Sequence, residues 1–192
     1  MTSERITIVQ AAREYGMRVH NAAGCTYGDD NEGYIIHLDA VHNLVEEHQD
    51  VFLFDSDKWY TRAAAYTHDT IEDAQQTFND VMVATNFDVA TITLAVTDVP
   101  EMNRLLRHMM TLPKTIKDYR AIILKMCDLT ANSGYGKGVK NGMYKKYQEE
   151  YVYKRYIFQK AVKWYVGELD LKRVANLFFA MDRAHGFSHQ RG

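Results

Sequence analysis

Val89-Ala90-Thr91-Ile92-Thr93-Leu94-Ala95-Val96 is the stretch on which the fold turns. It is rich in β-branched residues, which favour strands. A strand needs partners, however, and no partner strands are evident elsewhere in the sequence. A short apolar run without them reads as a buried helix, and the chain around it then reads as helical from end to end. Upstream, Thr77-Phe78-Asn79-Asp80 has the form of a capping box opening a helix. Before it, helical stretches are expected over about Asp57 to Thr70, about Leu38 to Glu47 and about Arg5 to Ala22. In the last of these Ile8, Val9, Ala12, Tyr15 and Val19 recur at helical spacing. A polar, glycine-bearing loop from Ala23 to Gly33 separates the first two. Downstream, Pro100 suits the first turn of a further helix, and Pro113 marks another helix boundary. Ile116 to Ala131, the aromatic-rich Tyr144 to Val166 and Asp170 to Arg183 complete an all-α bundle, read as one domain over residues 1–192.

Composition narrows the function classes. Hydrophobic residues are 46% and charged residues 25% of 192, ordinary for a globular protein large enough to bury a core. A net charge of −2 gives no electrostatic basis for nucleic-acid binding. Cys25 and Cys127 are too few for a disulfide framework, and a reducing cytoplasm is the default. There is no basic-then-apolar leader and no apolar run of membrane-spanning length, so no membrane partner is expected.

The chemistry concentrates in His68-Asp69-Thr70-Ile71-Glu72-Asp73. Read as helical, this stretch places Glu72 at i+4 from His68 and i+3 from Asp69, with Asp73 at i+4 from Asp69. Three carboxylates and an imidazole crowded together make sense if a divalent cation offsets their repulsion, as metal-assisted hydrolysis requires. Further ligands must come from other helices. His37 stands at the entrance of the second helix, in Tyr34-Ile35-Ile36-His37. Asp128 stands near the end of an otherwise apolar helix, where an unpaired carboxylate is costly. His37, His68, Asp69 and Asp128 offer two nitrogens and two oxygens, a set suited to Mn²⁺ or Fe²⁺ and acceptable to Zn²⁺. His20, His42, His48, His108, His185 and His189 take no role in this reading.

The order His…His-Asp…Asp over a helical chain resembles the HD phosphohydrolase superfamily. His68-Asp69-Thr70-Ile71-Glu72-Asp73, with Thr97-Asp98 downstream, is similar to its RelA/SpoT-type (p)ppGpp hydrolases, and Asn103-Arg104-Leu105-Leu106-Arg107 resembles a stretch of small stand-alone bacterial and phage members. Tyr34-x-x-His37, Asp128-x-x-x-Asn132 and Lys125 also match that pattern, over roughly residues 8 to 160. The synthetase half of the bifunctional enzymes has no counterpart. The resemblance implies a divalent metal, a nucleotide substrate and removal of its 3′-pyrophosphate, in the cytoplasm (a host's, if phage-encoded). It implies that Glu72 and Asp73 orient a water and move its proton. Arg104, Arg107 and Lys125 would neutralise phosphate, Asn132 would fix a ribose or phosphate oxygen, and Tyr147 or Tyr151 would stack on a base or close the pocket. Two positions depart from the family. The loop before His37 has Ala22-Ala23-Gly24-Cys25-Thr26 and then Asp29, Asp30 and Glu32 where a basic pair is usual, and Leu129 follows the last ligand where a basic residue is usual. An acidic loop is a poor cradle for an alarmone. Another nucleotide, such as NADPH or a (d)NTP, is therefore the rival substrate, and a silent nucleotide- or partner-binding module is the rival class. The Tyr144 to Val166 helix either forms core or buries against a second subunit.

Overall fold

The structure is a computed structural model that describes residues 2–28, 31–100, 103–138 and 142–187. Asp29, Asp30 and His189 lie outside the described residues. Helices dominate: α1 (Thr2–Ala23), α2 (Ile35–Glu47), α3 (Asp55–Thr67), α4 (Thr70–Asp73), α5 (Phe78–Ala84), α6 (Phe87–Val96), α7 (Arg104–Thr115), α8 (Tyr119–Gly136), α9 (Met143–Ala161) and α10 (Leu171–Ala184). Within the polar loop, β1 (Thr26–Tyr27) and β2 (Glu32–Gly33) pair antiparallel as a two-residue hairpin.

The β-branched run is helical, as α6. Its threonines satisfy their hydroxyls: half-buried Thr91 donates Oγ1 to Phe87 O at 2.8 Å, and buried Thr93 Oγ1 meets Thr67 Oγ1 at 2.5 Å. That removes the polar cost of burying them. The Thr77–Asp80 capping box is present in both directions. Asn86, Asn103, Asp118 and Asp170 cap α6, α7, α8 and α10 by accepting backbone N–H groups. Around these ends, α3 packs on α1, α2 and α6, while α8 packs on α2, α6 and α10. The core between them includes Leu38, Val41, Ala63, Ala64, Ile92, Ile122, Ile123 and Leu124. Gly16 lets α1 lie against the backbone of α3, since a Cβ there would sit 2.1 Å from Tyr66 O.

Several boundaries differ from the sequence reading. α2 begins at Ile35, so His37 lies inside the helix. The helix expected through Thr70 ends at Thr67, and a turn at His68-Asp69 separates it from α4. Pro100 precedes α7 by four residues instead of opening it, and Pro113 lies in its last turn instead of at a boundary. α8 extends to Gly136, which puts Asp128 in mid-helix.

Between α7 and α9 lies a buried polar cluster. His108 Nδ1 is 2.6 Å from Tyr153 Oη, His108 Nε2 is 3.3 Å from Lys154 Nζ, and Lys154 and Arg104 both hold Glu150. Burial first, and then the Lys154 charge, lower the His108 imidazole to about 4. The unfolded chain therefore binds the extra proton first on acidification. The contribution of neutral His108 is complete above about 6.5 and is lost as pH falls toward 4. Urea titrations at pH 7 and pH 5 should show wild-type stability falling, and His108→Gln should recover roughly 1–3 kcal/mol of that pH-dependent loss. An identical pH slope in the variant would sink this account.

Candidate metal centre

The turn after α3 creates the site. His68 retains helical torsions, whereas Asp69 adopts φ −101° and ψ −1° as the residue that caps α4. Both residues stay in the right-handed helical region, and the turn between the two helices brings their side chains to one point. His68 Nδ1 is 2.9 Å from Ala65 O, so it carries the proton and leaves Nε2 as a lone pair. That Nε2 faces His37 Nε2 at 3.2 Å and Asp69 Oδ2 at 2.9 Å. Asp128 Oδ1 lies 3.5 Å from His37 Nε2 and 3.7 Å from His68 Nε2. Ligand atoms of His37, His68 and Asp69 all fall within 4.8 Å of one another.

Two imidazole nitrogens pointed at each other and flanked by carboxylates favour positive charge at their common focus, supplied by a proton or by a bound cation. The electrostatics agree. Burial alone would lower the His68 imidazole, but Asp69 and Asp128 outweigh it and raise it to about 10; the same carboxylates raise His37. Burial would raise Asp69 and Asp128. The imidazoles, and Lys125 at 3.0 Å from Asp128, instead hold both well below the usual carboxylate range. This N₂O₂ donor set fits a borderline divalent cation. The His68–Ala65 bond supplies the outer partner that orients a ligating imidazole. His37 Nδ1 is buried with no hydrogen-bond partner.

Glu72 and Asp73 follow in α4 and meet different partners. Asp73 Oδ2 lies 3.0 Å from Tyr34 Oη, which itself donates to Asp69 Oδ2 at 2.6 Å. Burial, and then the Asp69 charge, raise the Asp73 carboxyl. Glu72, raised by burial and by Asp98, accepts the Asp98 N–H at 3.2 Å and sits 3.9 Å from Arg107. Glu72, Arg107, Asp98, Thr97 and Pro100 line a cleft of about 270 Å³. Asn132 Nδ2 donates to Asp128 Oδ1 at 2.6 Å.

The remaining sequence candidates lie elsewhere. Arg104 is held by Glu150 in the α7–α9 cluster. Tyr151 is not brought to the metal group: it is buried against α10, with its hydroxyl on Asp182 and its ring stacked 4.0 Å from His185. The sequence reading missed His20 and gave Tyr34 only a place in a motif. His20 is fully buried, with Nδ1 2.8 Å from Gly16 O and its ring stacked at 4.4 Å and 7° on Tyr34. No spacing signal marks His20, because its contact to Tyr34 is purely tertiary.

No family model matches the sequence, and no curated protein matches it. Among solved structures the chain is similar to a metazoan ortholog of SpoT, which hydrolyzes ppGpp and plays a role in starvation responses. The TM-score is 0.63, with 20% identity over 95% of this chain and 93% of that one. At that identity the likeness is one of fold alone: the chain shares the all-α fold of that ppGpp hydrolase.

Proposed function

We propose that this chain is a metal-dependent phosphohydrolase that removes the 3′-pyrophosphate of (p)ppGpp-like nucleotides. The observation that carries the reading is the convergence of the His37 and His68 lone pairs with Asp69 and Asp128, beside Glu72 and Asp73, in a chain with this fold. His37, His68, Asp69 and Asp128 hold the ion, taken here as Mn²⁺, with Fe²⁺ and Zn²⁺ also compatible with two nitrogens and two oxygens. A divalent ion held there supplies Lewis acidity toward a phosphoryl oxygen and a bound water of lowered pKa. Asp73 takes the proton of the attacking water, and its raised carboxyl pKa makes it the stronger base for that step. Tyr34 sets the orientation of Asp73 relative to Asp69 through the hydroxyl they share. Glu72, anchored by the Asp98 N–H, orients the water from the other side. Lys125 and Arg107 offset the charge of the transferred phosphates, and Asn132 holds Asp128 in place for its contact with the ion.

The test is incubation of the purified protein with Mn²⁺ and, separately, ppGpp, NADPH and the common (d)NTPs, with products read by chromatography. Pyrophosphate and GDP from ppGpp are expected. Turnover of NADPH or a (d)NTP but not of ppGpp would retain the chemistry and overturn the substrate. An inert protein with full metal occupancy would overturn the hydrolase.

A further inference from the structure

Tyr34 presents one hydroxyl to two carboxylates. Its Oη donates to Asp69 Oδ2 at 2.6 Å and lies 3.0 Å from Asp73 Oδ2, so it joins a proposed metal ligand to the proposed base. A phenol swings about two side-chain torsions, and so short a contact persists only if both are fixed. The Tyr34 backbone fixes neither. It stands at the start of α2 with no side-chain cap, its carbonyl accepting the His37 N–H at 3.0 Å. The ring must therefore be held by its neighbours. Tyr27 and His37 meet it edge-on, at interplanar angles of 85° and 72° and centroid distances of 6.1 and 5.5 Å. Among the described residues only His20 covers a face, at 4.4 Å and 7°.

His20 is itself locked. It lies one turn after Gly16, whose carbonyl accepts the Nδ1 proton at 2.8 Å and stops the imidazole from rotating. That anchor stands where Gly16 brings α1 against the backbone of α3, the helix that ends next to His68. The His20 carbonyl accepts the Cys25 N–H at 2.9 Å, which closes the end of α1. With Nδ1 donating, Nε2 keeps its lone pair, and burial lowers the imidazole pKa, so the ring that faces Tyr34 is neutral. Nε2 is buried with no hydrogen-bond partner among the described residues, an arrangement that calls for an explanation. A phenyl ring would avoid that cost and offer the same face, but it would lack the lock on its rotation. Neither nitrogen bonds a carboxylate, so His20 reaches Asp69 and Asp73 through Tyr34.

We propose that His20 is a positioning residue of the metal centre: its face holds the Tyr34 hydroxyl on Asp69 and Asp73, and Asp69 thereby keeps the orientation in which it ligates the ion. This rests on the metal-centre part of the phosphohydrolase reading above. Groups that orient a metal ligand from outside its coordination sphere are commonly worth about 10- to 100-fold in metal affinity. Tyr34 is such a group for Asp69, and His20 stands one step behind it.

The experiment is calorimetric titration of Mn²⁺ into the metal-free full chain, as wild type, His20→Leu, Tyr34→Phe and the double variant. Tyr34→Phe removes the hydroxyl, keeps the ring and should weaken Mn²⁺ binding by about 10- to 100-fold. His20→Leu removes the face and should weaken it by about tenfold. In the double variant His20→Leu should add less than about twofold to the loss from Tyr34→Phe, because the hydroxyl it positions is gone. His20→Phe keeps the face and should stay within about threefold of wild type, short of the loss of an orienting group. His20→Asn, which can donate to Gly16 O and has no aromatic face, replaces the leucine variant should that fail to fold. Losses that multiply in the double variant would make His20 a packing residue and overturn the proposal. Wild-type affinity in folded His20→Leu, His20→Asn or Tyr34→Phe would overturn it too, as would a phenylalanine variant no better than leucine. A wild-type chain that binds no Mn²⁺ would overturn it together with the metal centre. No substrate enters the measurement, so the expected affinities in a protein that hydrolyses no nucleotide would overturn the reaction and uphold the role of His20.

Discussion

Replacing Asp69 by alanine is expected to abolish metal retention and to lower kcat/KM on the cognate nucleotide by at least about 10³-fold, because Lewis-acid stabilisation is worth several kcal/mol and each 1.36 kcal/mol is a decade of rate. Asp69 occupies a position that no neighbour can cover. Its Oδ2 contacts His68 Nε2 at 2.9 Å and His37 Nε2 at 3.4 Å, and accepts the Tyr34 hydroxyl at 2.6 Å. Its loss leaves Asp128 as the one carboxylate facing two imidazoles, and it frees the Tyr34–Asp73 pair from its anchor. Metal content by mass spectrometry should drop alongside activity while the helical circular dichroism is retained. Full metal occupancy in the variant would remove Asp69 from the ligand set, and undiminished turnover would remove this centre from the reaction.

Gly16→Ala should destabilise the protein by about 2–3 kcal/mol, a large share of a typical domain's total stability. The added methyl would sit 2.1 Å from Tyr66 O and 3.3 Å from Leu38 Cδ1. One of those atoms belongs to the α3 backbone and cannot rotate away. α1 must therefore move off α3, which also disturbs the His20–Gly16 bond and the turn that presents His68. The gain in helix propensity from Ala over Gly, about 1 kcal/mol, is too small to offset this. Gly134 in α8 is the control, because a Cβ there meets nothing within 4 Å. Gly134→Ala should therefore raise stability by about 0.5–1 kcal/mol. Equal midpoints for the two variants in urea would show that the α1–α3 approach is looser than the geometry indicates.

Helical periodicity, capping residues and the missing strand partners were enough to read the all-α class, because each depends on local backbone preference or on short-range spacing. α6 is the clearest case. Its residues favour strands one by one, yet a single buried run has no ladder to join. The metal-ligand types were legible for a related reason. Carboxylates and histidines in apolar surroundings are too costly to leave unpaired, so each needs a partner. That partner is a side chain of the fold for His108 and Asp182, and is proposed to be an ion only where His37, His68, Asp69 and Asp128 meet.

Direction was not legible. Whether His68 and Asp69 share a focus depends on a turn between α3 and α4 that no proline or glycine announces. Tyr151 and Tyr147 lie on the same helix and are alike in type, yet one stacks in the core on His185 and the other lines a cavity beside Asn132. Residue type sets which contacts are chemically sensible. Which of them form depends on helices far apart in sequence meeting at one place, as α1 and α2 do when His20 stacks on Tyr34, and such contacts leave no periodicity in the chain.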